Sequence, residues 1–120
     1  MGVFNKKNKV EIDLQTISTL ISHGAVLDGN VKAPAFVRVD GEINGDVVVD
    51  EGLILGENGV IKGEVKTKEM VVYGVVTGNI NVQSLQIKST GKINGDIKTS
   101  VLAVETGAVY NGKLLMDTPV

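Results

Sequence analysis

Six pairs of glycines divide the chain at nearly even intervals: Gly24/Gly29, Gly41/Gly45, Gly59/Gly63, Gly74/Gly78, Gly91/Gly95 and Gly107/Gly112. The second member advances by 16, 18, 15, 17 and 17 residues, a mean step near 17. Self-similarity at such a period marks a repeat architecture, in which each unit buries its apolar face only against its neighbours. The copies agree in chemistry too. An aliphatic residue lies between the paired glycines (Val26, Ile43, Ile61, Val76, Ile93, Val109). Another follows two residues after the second glycine (Val31, Val47, Val65, Ile80, Ile97, Leu114). Most copies then carry aliphatic residues two apart, such as Leu53 with Leu55 and Leu85 with Ile87.

A period of two marks strands with one face inward. The series Val37, Val39, Gly41, Ile43, Gly45, Val47, Val49 holds one phase for thirteen residues, long for a single straight strand. Glycines every four residues provide the bends. The pattern therefore predicts an all-β fold: a single right-handed parallel β-helix of about six turns, with three short faces per turn. Two other readings compete. Asn-Gly and Asp-Gly also signal hairpins, but a meander would not keep an inward phase through each Gly-x-x-x-Gly. A left-handed hexapeptide helix needs multiples of six, which steps of 15 to 18 do not keep. Right-handed coiling is the general preference of parallel crossovers. The expected organisation is a flexible basic N-terminal tail at 1–9, a β-helix at 10–116 and a short C-terminal tail at 117–120. Residues 10–23 fit a strand (Val10, Ile12, Leu14) or a helical face (Val10, Leu14, Ile17, Ile21); β-branched content favours the strand.

Composition narrows the function. In 120 residues there is no cysteine and one histidine, which removes disulfides, thiolate chemistry and multi-histidine metal sites. A net charge of -2 and 3% aromatic residues suit neither an electrostatic footprint for nucleic acid nor a base-stacking platform. No apolar run reaches the length of a membrane span and no signal-peptide pattern opens the chain, so an intracellular protein is expected. His23 marks no pocket or positioned acceptor and reads as an exposed turn residue. The carboxylates Asp40, Glu42, Asp46, Asp50 and Glu51 read as a solvated acidic face. No catalytic, metal or cofactor site is expected, and the chain reads as a non-enzyme.

The ends of the solenoid carry the functional expectation. An uncapped solenoid end exposes core and unpaired backbone, a template for another copy. The first turn offers Leu20, Ile21, Val26, Leu27 and Val31; the last offers Val109, Tyr110, Leu114, Leu115 and Met116. End-to-end polymerisation through these two sets is the expectation. The alternatives are that residues 10–19 or 115–120 fold over the ends, or that the chain is a non-polymerising β-helix adaptor binding a protein through one face.

The segments Gly-Ala-Val-Leu-Asp-Gly-Asn-Val (24–31), Val-Asp-Gly-Glu-Ile-Asn-Gly-Asp-Val (39–47), Gly-Lys-Ile-Asn-Gly-Asp-Ile (91–97) and Glu-Thr-Gly-Ala-Val-Tyr-Asn-Gly-Lys (105–113) resemble bactofilin repeats. The resemblance spans about residues 19–113. It implies a bacterial cytoskeletal protein that assembles without nucleotide into filaments or sheets through its terminal turns. It further implies a cytoplasmic scaffold for cell-shape, cell-wall or positioning machinery, with itself as partner and cell-wall enzymes among candidate clients. Family members commonly carry phenylalanine at the place of Tyr110. Short N-terminal segments serve the family as membrane anchors, and Met1, Val3, Phe4, Lys6, Lys7 and Lys9 suit that role toward the inner face of the membrane.

Overall fold

The computed structural model describes residues 17–116, and every regular element among them is a β-strand. The first coil holds β1 (Ile17–Ile21), β2 (Val26–Asp28) and β3 (Val31–Ala33). The second holds β4 (Phe36–Val39), β5 (Glu42–Asn44) and the start of β6 (Val47–Leu55). The end of β6, then β7 (Val60–Lys62) and the start of β8 (Val65–Val72), form the third. The end of β8, β9 (Val75–Thr77) and the start of β10 (Ile80–Ile87) form the fourth. The fifth takes the end of β10, β11 (Lys92–Asn94) and β12 (Ile97–Thr99). The sixth is β13 (Val101–Val104), β14 (Val109–Asn111) and β15 (Leu114–Met116).

All pairings are parallel, and their registers define three faces. Face A stacks Ile21, Val39, Leu55, Val72, Ile87 and Val104. Face B stacks Leu27, Ile43, Ile61, Val76, Ile93 and Tyr110. Face C stacks Val31, Val47, Val65, Ile80, Ile97 and Leu114. The molecule is a β-helix of six coils and three faces, as the repeat predicts. Within residues 10–23 the part from Ile17 to Ile21 is strand. The expectations for 1–9, 10–16 and 117–120 fall outside the described residues.

The uneven repeat has a simple geometric origin. Face B and face C residues are always four apart, as in Ile43 to Val47 and Ile93 to Ile97. Length varies only at the other two corners. The corner from A to B is either a tight bend, as at Asp40-Gly41, or longer by two residues, as at Gly56-Glu57-Asn58-Gly59. The corner from C to A gains one residue in the first coils, where the β6–β8 register shifts between Val49 and Gly52.

The constant corner is a column of glycines. Gly45, Gly63, Gly78, Gly95 and Gly112 have φ between 140° and 155°, a region strained for any other residue. Space is equally restrictive: a Cβ on Gly63 would lie 2.1 Å from the Gly45 carbonyl oxygen, and one on Gly112 would lie 1.9 Å from that of Gly95.

One sequence assignment is corrected. Val26 and Val109 do not belong to the inward column; Leu27 pairs with Ile43, and Tyr110 with Ile93. In these two coils the glycines are five apart rather than four, so the extra residue shifts the phase of the strand. The interior is otherwise aliphatic, from Val37 to Ile97, with two buried threonines at the corner from C to A. The Thr99 hydroxyl lies 2.9 Å from the Val101 carbonyl oxygen and 3.1 Å from that of Gln83, so its polar atom is satisfied inside the helix.

Candidate assembly surfaces

At one end, β1, β2 and β3 are each paired along a single edge; at the other, β13, β14 and β15 are. Among the described residues, then, both terminal coils present an open parallel edge. The inward column is also uncovered there. Ile21 and Val31 are half-buried and Leu27 is 38% exposed, whereas their partners one coil on, Val39, Val47 and Ile43, are fully buried. At the far end, Leu114 is 41% and Met116 47% exposed, while Tyr110 is half-buried.

The ten residues expected at the ends divide by phase. Ile21, Leu27 and Val31 at the first coil, and Tyr110, Leu114 and Met116 at the last, continue the inward columns. Leu20, Val26, Val109 and Leu115 pair in register with the outward-facing Arg38, Glu42, Lys92 and Lys98, and so lie on the sides of the rod. Leu102 and Val104 belong to the terminal surface but do not stand out in the sequence. They repeat the face A pair of earlier coils, and Val104 is exposed because no coil among the described residues stacks on it. The proposed membrane residues Met1, Val3, Phe4, Lys6, Lys7 and Lys9 lie outside the described residues.

Tyr110 closes face B. It pairs in register with Ile93 and packs against the core, and its hydroxyl donates to the Lys113 carbonyl, tying face B to face C across the last corner. Burial pushes its pKa up and the nearby Asp96 carboxylate adds to this, against a smaller lowering by a backbone hydrogen bond from Ile97. The ring therefore stays a neutral donor throughout the physiological range.

A polar ladder follows the glycine column along the same corner. The backbone N–H of Asp46 donates to Asn30 Oδ1 (2.9 Å), that of Glu64 to Asp46 Oδ1 (3.1 Å), that of Asp96 to Asn79 Oδ1 (3.2 Å) and that of Lys113 to Asp96 Oδ1 (3.2 Å). Each side chain thus caps the next coil. The signal is visible in the residue after each second glycine, which is Asn, Asp, Glu, Asn, Asp and finally Lys. Lys113 ends the series, since its ammonium group cannot accept a hydrogen bond. Three of the acidic residues singled out by sequence have such structural partners: Asp46 accepts from Glu64 N–H, Asp40 pairs with Arg38 at 2.8 Å, and Glu42 approaches Lys62 at 4.0 Å. His23 is exposed in the first turn.

Comparison with known proteins fits this geometry. Residues 19–115 match the bactofilin family, described as polymer-forming cytoskeletal. The chain belongs to the bactofilin family. Among curated bactofilins it is 29% identical to BacP of Myxococcus xanthus over 82% of this chain and 42% of that protein. It is 28% identical to BacO of the same organism, over 83% of this chain and 80% of that one. The chain thus spans less than half of BacP but most of BacO. A cryo-EM reconstruction of Thermus thermophilus bactofilin double helical filaments superposes with a TM-score of 0.80 and 28% identity, covering 82% of this chain and 99% of that one. The crystal structure of a phenylalanine-to-arginine mutant of the Thermus thermophilus protein gives 0.70 and 27%, covering 72% and 98%. This bactofilin therefore places its open edges at the two ends of a domain that is repeated along filaments in a solved relative.

Proposed function

We propose that the chain polymerises end to end without nucleotide, through the terminal coils, and that the resulting filaments wind in pairs. The observation that carries this reading is the pair of open parallel edges, each beside an uncovered inward column. Joining Tyr110, Leu114 and Met116 to an apolar end of another copy continues both the backbone hydrogen bonding and the core. The contact is apolar and needs no bound nucleotide to form. In this reading the filament is a scaffold rather than an enzyme, serving cell-shape, cell-wall or positioning machinery. Negative-stain microscopy of the purified protein without nucleotide tests it. Filaments should persist at high salt, because apolar contacts are not screened. Monodisperse small particles would favour the non-polymerising adaptor.

The same reading places the filament on the inner face of the cytoplasmic membrane. Lys6, Lys7 and Lys9 contribute roughly 1 kcal/mol each beside anionic lipid, and Met1, Val3 and Phe4 offer shallow apolar insertion. One copy binds weakly, whereas a filament bearing many copies binds by avidity. Deleting residues 2–7 should lower pelleting with anionic liposomes at least tenfold. Undiminished pelleting would remove the anchor from the proposal.

A further inference from the structure

Four Asn-Gly dipeptides lie in the chain: Asn44-Gly45, Asn58-Gly59, Asn94-Gly95 and Asn111-Gly112. A glycine after asparagine leaves its peptide nitrogen free to attack the side-chain amide, because no Cβ stands in the way. Such a dipeptide closes slowly to a cyclic imide in water, provided that its peptide plane can turn. Three of the four are held. The peptide of Asn44-Gly45 is bonded on both sides: its carbonyl accepts from Gly29 N–H and its N–H donates to Lys62 O, each at 2.9 Å. The peptide of Asn94-Gly95 is bonded likewise, to Gly78 N–H at 2.8 Å and to Asn111 O at 2.9 Å. In the turn at Asn58, Gly59 is buried and its N–H donates to Gly56 O at 2.8 Å. Asn111-Gly112 differs. Its carbonyl accepts from Gly95 N–H, but the Gly112 N–H has no acceptor among the described residues. The equivalent N–H groups of Gly29, Gly45, Gly63, Gly78 and Gly95 all donate to the next coil. Asn111 and Gly112 are both exposed. The Asn111 amide is held by a single 3.2 Å bond to Asn94 Oδ1, whereas that of Asn44 donates to Asp28 at 2.8 Å and Glu42 at 3.0 Å.

We propose that Asn111 is a site of spontaneous deamidation in the unassembled chain, and that a second copy stacked on the last coil shields it. The reaction needs only water. The Gly112 nitrogen bonds to Asn111 Cγ and yields its proton to solvent; the Cγ–Nδ2 bond breaks and that nitrogen leaves as ammonia. Water then opens the imide. Breaking the new Cγ–N bond gives aspartate. Breaking the original backbone C–N bond gives isoaspartate, whose main chain runs through Cβ and Cγ. Isoaspartate lengthens the corner between Tyr110 and Leu114 by one carbon, at the edge a second copy would meet, and either product adds a negative charge there. Modified chains therefore join poorly. The shielding rests on the end-to-end assembly proposed above, in which an acceptor on the second copy holds the Gly112 N–H as Lys62 holds that of Gly45. Chains that stay unassembled are thus withdrawn from the pool, while those inside a filament persist.

Trypsin cleavage after Lys98 and Lys113 releases residues 99–113, in which Asn111 is the only asparagine. Mass spectrometry of that peptide, and of those bearing Asn44, Asn58 and Asn94, times conversion at all four sites in one sample. Two unassembled preparations are aged near neutral pH: wild type below its assembly concentration, and Leu114→Glu. In both, Asn111 should convert about tenfold faster than Asn44 and Asn94, the factor set by one missing hydrogen bond. In pelleted wild-type filaments Asn111 should slow to the rate of Asn94, with isoaspartate-bearing chains collecting in the supernatant. Asn111 no faster than Asn94 in unassembled wild type overturns the inference. Asn58 outpacing Asn111 overturns it too, since the freest peptide would then lie in the turn. Equal Asn111 rates in filaments and in unassembled chains overturn it as well. Absence of wild-type filaments would overturn the polymerisation reading itself, while the rates in the unassembled chain still decide whether Asn111 is the site.

Discussion

Replacing Gly63 with alanine should unfold the β-helix near room temperature or lower its melting temperature by more than about 12 °C, taking roughly 4–8 °C per kcal/mol. The new Cβ would meet the Gly45 carbonyl oxygen at 2.1 Å, and its target is backbone rather than a side chain that can swing away. Relief requires parting two coils and lengthening Gly45 N–H to Lys62 O and Val47 N–H to Glu64 O, now 2.9 and 2.8 Å. A φ of 154° adds strain of its own. Together these should exceed about 3 kcal/mol, a large share of a domain's stability. Gly29→Ala is the matched comparison. Gly29 shares the strained backbone (φ 136°), but nothing lies within 4 Å of its Cβ position, since it belongs to the first coil of the described residues. It should cost only about 1–2 kcal/mol. Thermal melting of both variants in a Tyr110→Arg background would report the single β-helix free of assembly. Equal melting temperatures would show that backbone strain, and not coil-to-coil contact, keeps the column glycine.

Tyr110→Arg and Leu114→Glu should each abolish filaments while leaving six folded coils. Both side chains stand at the end of an inward column, so polymerisation would bury an unpaired charge against apolar groups at a cost of several kcal/mol. With 1.4 kcal/mol per tenfold, the critical concentration should rise by about 100-fold or more. Tyr110→Phe keeps the ring and loses only the hydroxyl with its bonds to the Lys113 carbonyl and the Ile97 backbone, so it should assemble at close to the wild-type concentration. Sedimentation against concentration, with circular dichroism to confirm the fold, reads all three. Filaments of the two charged variants at wild-type concentration would move the contact away from the columns. Leu115→Glu separates the column from the side of the rod: Leu115 pairs with the outward-facing Lys98, so its effect should be much smaller.

What could be read from sequence follows from where the chain has freedom. The face B and face C columns from Ile43 to Ile97 were legible because a glycine fixes the corner between them at constant length. Val26 and Val109 were misplaced because their coils carry an extra residue before the strand, and counting from the first glycine slips the phase. Counting back from the second glycine would have found Leu27 and Tyr110. Leu102 and Val104 stayed hidden because exposure at a rod's end is not a property of residue type. Thr67 and Thr99 were missed since a polar residue on the inward phase looks like an interruption until its hydroxyl is seen to bond backbone at the corner. The outward ladders were invisible without register, which alone brings Leu20, Ile54 and Val71 into line on face A, and Val26, Val60 and Val75 on face B.

The variable corner has an architectural consequence. Length changes at the corner from face A to face B, such as Gly56-Glu57-Asn58-Gly59, leave the glycine column and the inward phase untouched. This edge of the prism is where a binding loop can grow without rebuilding the core. Six coils at about 4.8 Å would repeat that edge every 29 Å or so along a continuous filament. A peptide grafted at Glu57–Asn58 would then be displayed as a row of evenly spaced docking points, with the spacing set by coil number alone.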